Sequence, residues 1–453
     1  MDIDLKSASQ FGGAYIQVIA YRDWVVASRV GGLQVFSDHG LLQSIAECAL
    51  MDIPLLKVID GLLYAVFKTS AWSVRIDPAG CISLVQSTQI IYRYEKPRGH
   101  DSQVDFEGGR FVLDRVNASV LTPTGVIKLP GYSRPSGMAL SDDHQRLYVA
   151  DMGAIHRLLY DNGVWRMTEG GYECLGWPKD IACENDNVFV ANVLGVSWYQ
   201  EINEYPYLRL IDRICKFHFR IAKVEVRNSL VYACDEARGL HVFEAKDGKL
   251  RPKGGVFVEG GGWDCLLSEE SCFLASGDGG WSWYENLDKA QRMMPTNKIH
   301  RAAAKNERIQ GVALWPCAKA VAVLSSRQIS ILDARSYDEM FSLECNAWSG
   351  VAVNDIFVAA TPSGLEVLSF DGKVIHLAES LETIEARDVA WDGHYIWVAD
   401  GKGGIRCFSI GDEKKSLIYC GCFPVCGFSR GICRTANRIY VGAGDGGLVV
   451  VKS

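Results

Sequence analysis

Cations and aromatic residues cluster at one recurring place in this sequence, immediately ahead of short apolar strings rich in alanine and glycine. The strings include Gly137-Met138-Ala139-Leu140, Asp180-Ile181-Ala182-Cys183, Gly311-Val312-Ala313-Leu314, Gly350-Val351-Ala352-Val353 and Asp388-Val389-Ala390-Trp391. The residue leading into such a string is Ser136, Lys179, Trp263, Gln310, Ser349, Arg387 or Arg430. Lys57, Arg134, Trp177, Arg220, Arg308, Trp348 and Phe428 stand close to the same place. Guanidinium and ammonium groups hold ligand oxygens, and indole rings cover hydrocarbon. Arg387, Arg430 and Lys179 are therefore candidates for polarising a ligand oxygen, and the other rim residues for binding it. The alternative is structural, with each cation pairing to an aspartate or a carbonyl of a neighbouring repeat. Asp180, Asp264 and Asp388 share this place and alternate there with glycine, which points to turn chemistry; their other reading is the carboxylate set of a hydrolase or lyase.

Recognised catalytic strings are missing. There is no Gly-x-Ser-x-Gly elbow, no His-Glu-x-x-His and no phosphate loop ending in Gly-Lys-Ser/Thr. Gly442-Ala443-Gly444-Asp445-Gly446-Gly447 matches a dinucleotide fingerprint literally, but it falls between two strands and opens no helix, so it reads as a hairpin. Cys420, Cys422, Cys426 and Cys433 lack zinc-ribbon spacing. The 15 cysteines read as buried, reduced thiols, and neither a cofactor nor a metal is expected.

The elements that carry these residues are repeats. A small residue followed by apolar, any, apolar, apolar recurs at Gly32, Gly195, Gly239, Gly280, Gly364, Gly404 and Gly447, with weaker copies near Ala71, Asn117, Ala154 and Gln328. Their spacing is about 40 residues, that of a four-stranded propeller blade. A second strand precedes each copy, as in Tyr395-Ile396-Trp397-Val398-Ala399, across a Gly/Asp turn. The fold class is thus all-β: a β-propeller of about eleven four-stranded blades, read as one domain over residues 1–453. The last repeat lacks a fourth strand and Asp2–Lys6 is a spare one, which favours a single ring closed by the N-terminal strand; two smaller propellers in tandem are the alternative. The lead-in residues then ring one mouth of a channel. Residues 82–101 and 285–308 depart from the repeat, the second with a helix-compatible run at 297–306.

The formal net charge is −7 without blocks of like charge, which disfavours nucleic acid or an anionic membrane as partner. No basic-then-apolar leader and no long apolar run is visible, so a cytoplasmic location is expected. The expected partner is a small molecule with an apolar body and oxygen substituents. A protein partner fits the rival reading of a non-catalytic scaffold.

Length, repeat count and the absence of cofactor motifs resemble the fungal hetero-Diels–Alderases of tropolonic sesquiterpenoid biosynthesis, although no residue motif carries the likeness. The resemblance implies a cofactor-independent cycloaddition of a quinone methide with a terpene alkene. Such a reaction needs orientation and an oxygen-polarising cation more than a nucleophile.

Overall fold

A computed structural model describes residues 8–452 except 12–13, 31, 39–41, 51–52, 68–69, 88–102, 107, 130–134, 142, 152–153, 174–176, 193–194, 204–207, 216–218, 259, 268–270, 286–294, 302–306, 412–415 and 436–437. The described chain is almost entirely strand, arranged as eleven four-stranded antiparallel sheets. The fold is a β-propeller fold with the expected blade number. We label the innermost strand of each sheet in chain order: β1 (Tyr15–Tyr21), β2 (Leu55–Ile59), β3 (Gln103–Phe106), β4 (Gly137–Leu140), β5 (Pro178–Glu184), β6 (Ile221–Arg227), β7 (Asp264–Leu267), β8 (Ile309–Trp315), β9 (Ser349–Val353), β10 (Asp388–Trp391) and β11 (Gly431–Arg434).

The repeat signature has a steric cause. Where the copy carries a glycine, it opens the third strand of its sheet with a backbone that side chains rarely adopt, φ 108° at Gly239 and 150° at Gly364. A Cβ there would lie 2.4 Å from the Val256 carbonyl oxygen at Gly239 and 1.8 Å from that of Leu381 at Gly364. The fourth strand thus lies against the bare glycine. Four paired residues on from the glycine, a register shift recurs, for instance between Val242 and Phe243 and between Val367 and Leu368. Such bulges add local twist.

Two compact units account for the chain, one centred on Ser9–Trp177 and one on Pro178–Gly444. In the first, β1 touches β2 and β4, and β3 touches β4. In the second, β5 to β11 touch in sequence order, and β11 touches β5 again. The seven inner strands of that unit therefore form a closed cycle, which corresponds to the arrangement of smaller rings that the sequence left open. The final sheet runs β11, Arg438–Gly442, Leu448–Lys452, Ala8–Phe11. An N-terminal strand does complete it, two to five residues beyond the end of the expected Asp2–Lys6, which lies outside the described residues.

Cores lie between neighbouring sheets. Trp315, Ile329 and Ile331 from one sheet pack on Phe357, Ala359 and Leu368 of the next. Trp315 is fully buried and donates from Nε1 to the Asn354 carbonyl at 3.2 Å. Trp315→Ala would open a cavity between two sheets and cost about 3–5 kcal/mol. Of the inner-strand alanines, Ala313 and Ala182 are buried, and Ala139, Ala352 and Ala390 are partly buried.

Three expectations need correction. The run at 297–306 is not helical: Pro295–Arg301 is the fourth strand of the β7 sheet, because an open sheet edge gains more from pairing than a short isolated helix gains from local bonds; residues 302–306 lie outside the described ones. Residues 82–87 likewise form a fourth strand. The cysteines are not all free, since Cys183 on β5 and Cys433 on β11 form a disulfide across a sequence separation of 250 residues. Closing the cycle brings these two strands together, which spacing along the chain could not show. The literal dinucleotide string is a hairpin containing a single 3-10 turn, Gly444–Gly446. Among the described residues, no helix is long and apolar enough to cross a membrane.

Candidate functional site

One cavity of about 190 Å³ opens among the inner strands of the seven-sheet unit. Lys179, Trp263, Gln310, Trp348, Ser349, Arg387 and Arg430 all line it, so the lead-in positions of β5, β7, β8, β9, β10 and β11 do converge. The lining is polarised. Arg387, Arg430 and Lys179 lead into β10, β11 and β5, which are consecutive in the cycle, and form a cationic arc. Trp263 and Trp348 precede β7 and β9, Gln310 is the second residue of β8, and the three form a neutral arc that meets the cationic one where Trp348 touches Arg387.

The arginines are braced from behind. The Arg387 guanidinium carbon lies 3.6 Å from the Trp348 ring centre and 5.1 Å from that of Phe428. The Arg430 guanidinium carbon is 5.1 Å from the same Phe428 ring. Phe428 is thus flanked by both guanidinium groups, and cation–π contact restricts where each can turn. Arg387 is ion-paired with Glu385, yet its buried Nε has no hydrogen-bond partner among the described residues. Lys179 Nζ lies 2.5 Å from Glu236 Oε1.

Sequence reasoning passed over the floor of the cavity. Lys223 of β6 sits there, with Nζ 3.4 Å from Asp180 Oδ1 and 3.5 Å from Asp388 Oδ1. The three lead aspartates, expected to serve turns, instead clamp neighbouring sheets. Asp180 Oδ2 accepts from the Val224 N–H at 2.8 Å, Asp264 Oδ2 from Val312 at 2.9 Å and Asp388 Oδ2 from Ile432 at 2.9 Å. Each clamp uses one oxygen, and the carboxyl groups still line the cavity. Ser349 Oγ donates to Asp388 Oδ1.

Burial decides the protonation of this floor. It pushes the Asp180 carboxyl up to about 6, with Lys223 opposing and Asp388 reinforcing the rise. It pushes Asp264 up to about 8 despite Lys223 and the Val312 N–H, with Cys265 reinforcing the rise. Burial works against the Lys223 charge, but Asp180, Asp388 and Asp264 overcome it, and the amine stays protonated well above its ordinary range. Glu225 is raised well above the carboxylate range, first by burial and then by Cys265. The floor thus offers a fixed cation among carboxyls of raised proton affinity, of which Asp264 keeps its proton at neutral pH. Lys223 follows Ile221-Ala222 on an ordinary inner strand, and the one available signal was its position, the one that Asp180 holds on β5 and Gly311 on β8.

Other expected rim residues lie elsewhere. Arg308 is exposed, paired with Asp278 at 3.3 Å, and stacks 5.0 Å over Trp263 from outside the lining. Arg220 is exposed and offers its carbonyl to the Glu236 N–H. Lys57 lies on β2 and Trp177 just ahead of β5, and neither lines this cavity. Arg134 lies outside the described residues. Both indoles that line the cavity carry a guanidinium on a face, so they are less open to a ligand's apolar body than the sequence implied. Among the described residues, no group of three or more His, Cys, Asp or Glu is arranged to hold a metal ion.

Fold and site together define a β-propeller protein with a polar, charge-separated cavity among its inner strands. No family model matches the chain, and no curated protein matches it. Solved structures similar to it include BamB from Moraxella catarrhalis, at 12% identity and TM-score 0.46, covering 70% of this chain and 96% of that one. Another is a putative 6-phosphogluconolactonase from Bacteroides uniformis, at 11% identity and TM-score 0.49, covering 58% and 90% respectively.

Proposed function

We propose that the cavity of the seven-sheet unit binds a small oxygen-bearing molecule and polarises it without a cofactor. The observation that supports this is the cationic arc: Lys179, Arg387 and Arg430 come from three consecutive strands and face one cavity. Two of them are braced on aromatic rings. A surface needing cations only for solubility would not converge them on an interior wall. Charge-assisted hydrogen bonds from this arc hold a ligand oxygen and stabilise charge that grows on it during reaction. Calorimetric titration with small carboxylates and phenolates tests the binding. Arg387→Ala and Arg430→Ala should each weaken it by roughly ten- to a hundredfold, the equivalent of about 1.5–3 kcal/mol for a lost charged hydrogen bond, with the fold intact. Unchanged affinity in both variants would remove the arc from the reading.

The finer form is a cofactor-free cyclisation of the hetero-Diels–Alder type, in which Arg387 or Arg430 polarises the heterodiene oxygen and Trp263 and Trp348 wall the alkene. Its assay compares yield and stereoisomer ratio, with and without protein, from a generated quinone methide and a humulene-type alkene. Equal outcomes would end that form and leave a scaffold or binding role. A second reading, proton-transfer chemistry of a hydrolase or lyase, is favoured by one observation: Asp180 and Asp264 line the cavity with raised proton affinities, Asp264 holding its proton at neutral pH and Asp180 giving it up near pH 6.

A further inference from the structure

Opposite the cationic arc, the cavity offers groups that can both give and take a hydrogen bond. The Gln310 amide oxygen is buried and has no hydrogen-bond donor among the described residues. Rotation about its last side-chain bond exchanges oxygen and NH₂, so either can face the cavity. Asp264 is 8% exposed and lies on the neighbouring strand. Its oxygens take only backbone N–H groups, from Cys265 and Val312 at 2.9 Å, and no cation comes within ion-pair distance of it among the described residues. A ligand methyl group placed there would leave an amide unpaired, whereas a hydroxyl can donate and accept at once.

We propose that the ligand of this cavity is a hydroxylated anion, with its oxyanion on Arg387 and Arg430 and its hydroxyl read by Gln310. This deepens the binding proposed above and rests on it. It makes Gln310 a specificity residue, because a site built to pair a hydroxyl rejects the analogue that lacks one far more strongly than an apolar pocket rejects an extra methylene.

Matched probes test it: 4-hydroxybenzoate against benzoate, and malate against succinate, titrated calorimetrically into the full chain. The hydroxylated member of at least one pair should bind at least tenfold more tightly. Gln310→Leu should erase that preference, bringing the two members to equal affinity, and Gln310→Asn, which keeps the amide, should retain part of it. Arg387→Ala should weaken both members equally. Equal binding of both members by the natural protein would overturn the hydroxyl reading and leave the anion site standing, and so would equal weakening of both by Gln310→Leu. A Gln310→Leu protein with an altered melting profile is set aside in favour of Gln310→Asn, for which an unchanged preference ratio overturns the role of the amide. No binding of any probe, with Arg387→Ala no different, would overturn the anion site itself.

Discussion

Clamping between neighbouring sheets is done differently in the two units, and the difference separates structure from function. In the four-sheet unit the clamp from β1 to β2 is neutral: Gln17 Nε2 donates to the Leu56 carbonyl at 3.0 Å, and the Leu56 N–H returns 2.8 Å to Gln17 Oε1. In the seven-sheet unit the same kind of clamp is a carboxyl group at Asp180, Asp264 and Asp388. A neutral amide suffices to join two sheets, so the buried carboxyls are more than the clamp requires. Burying them is costly, and their raised pKa values record that cost. Groups that a fold could replace at lower cost, facing a cavity with four cations, are what a ligand site retains.

The sharpest break in this comparison is Lys223→Met. It leaves Asp180 and Asp388 facing each other without the amine that joins them. Removing one partner of a buried ion pair costs about 3–5 kcal/mol, and partial exposure of Lys223 places the expected loss near the lower end. Because the stranded carboxyls can take up protons, the deficit in urea unfolding should shrink between pH 7 and pH 5. A deficit independent of pH would mean that lost packing, and not charge, is the cause.

Cys183→Ser should come next. The bond closes a very long loop between the first and last strands of the cycle, and its loss is expected to cost about 2–4 kcal/mol. Thiol counting in denatured, non-reduced protein checks the bond directly; two further thiols in the variant's parent would remove it.

Gln17→Leu tests the neutral clamp. It strands the Leu56 N–H and carbonyl, for an expected loss of about 2 kcal/mol confined to the four-sheet unit. Hydrogen exchange should therefore quicken in residues of that unit alone.

Asp264→Asn has the smallest effect at pH 7 and the most informative pH dependence. The folded-state pKa of Asp264 is about 8 against an ordinary value of 3.8, so the native protein binds the extra proton between those limits. Stability from this group is present below about pH 4 and is lost as pH rises through about 8. Asp180 adds a loss of the same sign that ends near pH 6. The variant should unfold with a flatter dependence from pH 4 to pH 9 and be the more stable protein at pH 9. A slope identical to that of the parent would place the Asp264 carboxyl in the ordinary range.

Much of this molecule was written in its sequence because repetition amplifies weak local signals. Each small-apolar-x-apolar string is ambiguous alone, but eleven at even spacing leave one architecture, and glycines such as Gly239 and Gly364 are fixed by a carbonyl that any side chain would strike. Repetition also aligned the lead-in positions, so Lys179, Arg387, Arg430, Trp263, Ser349 and Gln310 could be brought to one rim before any coordinate was known, and Trp348, read by proximity, joined them. Other rim residues read by proximity, Lys57, Trp177, Arg220 and Arg308, did not follow, because a step of one or two residues along a strand turns a side chain to the other face.

Tertiary structure alone decided the rest. Which inner strands close on one another depends on how sheet faces pack, and a repeat that looks the same in every copy does not encode the size of its cycle. The Cys183–Cys433 bond, the meeting of Lys223 with Asp180 and Asp388, and the protons held by Asp264 all follow from that closure. They arise between residues far apart in the chain, and a pKa is set by the burial and charge that surround a group in space and not by its neighbours in sequence.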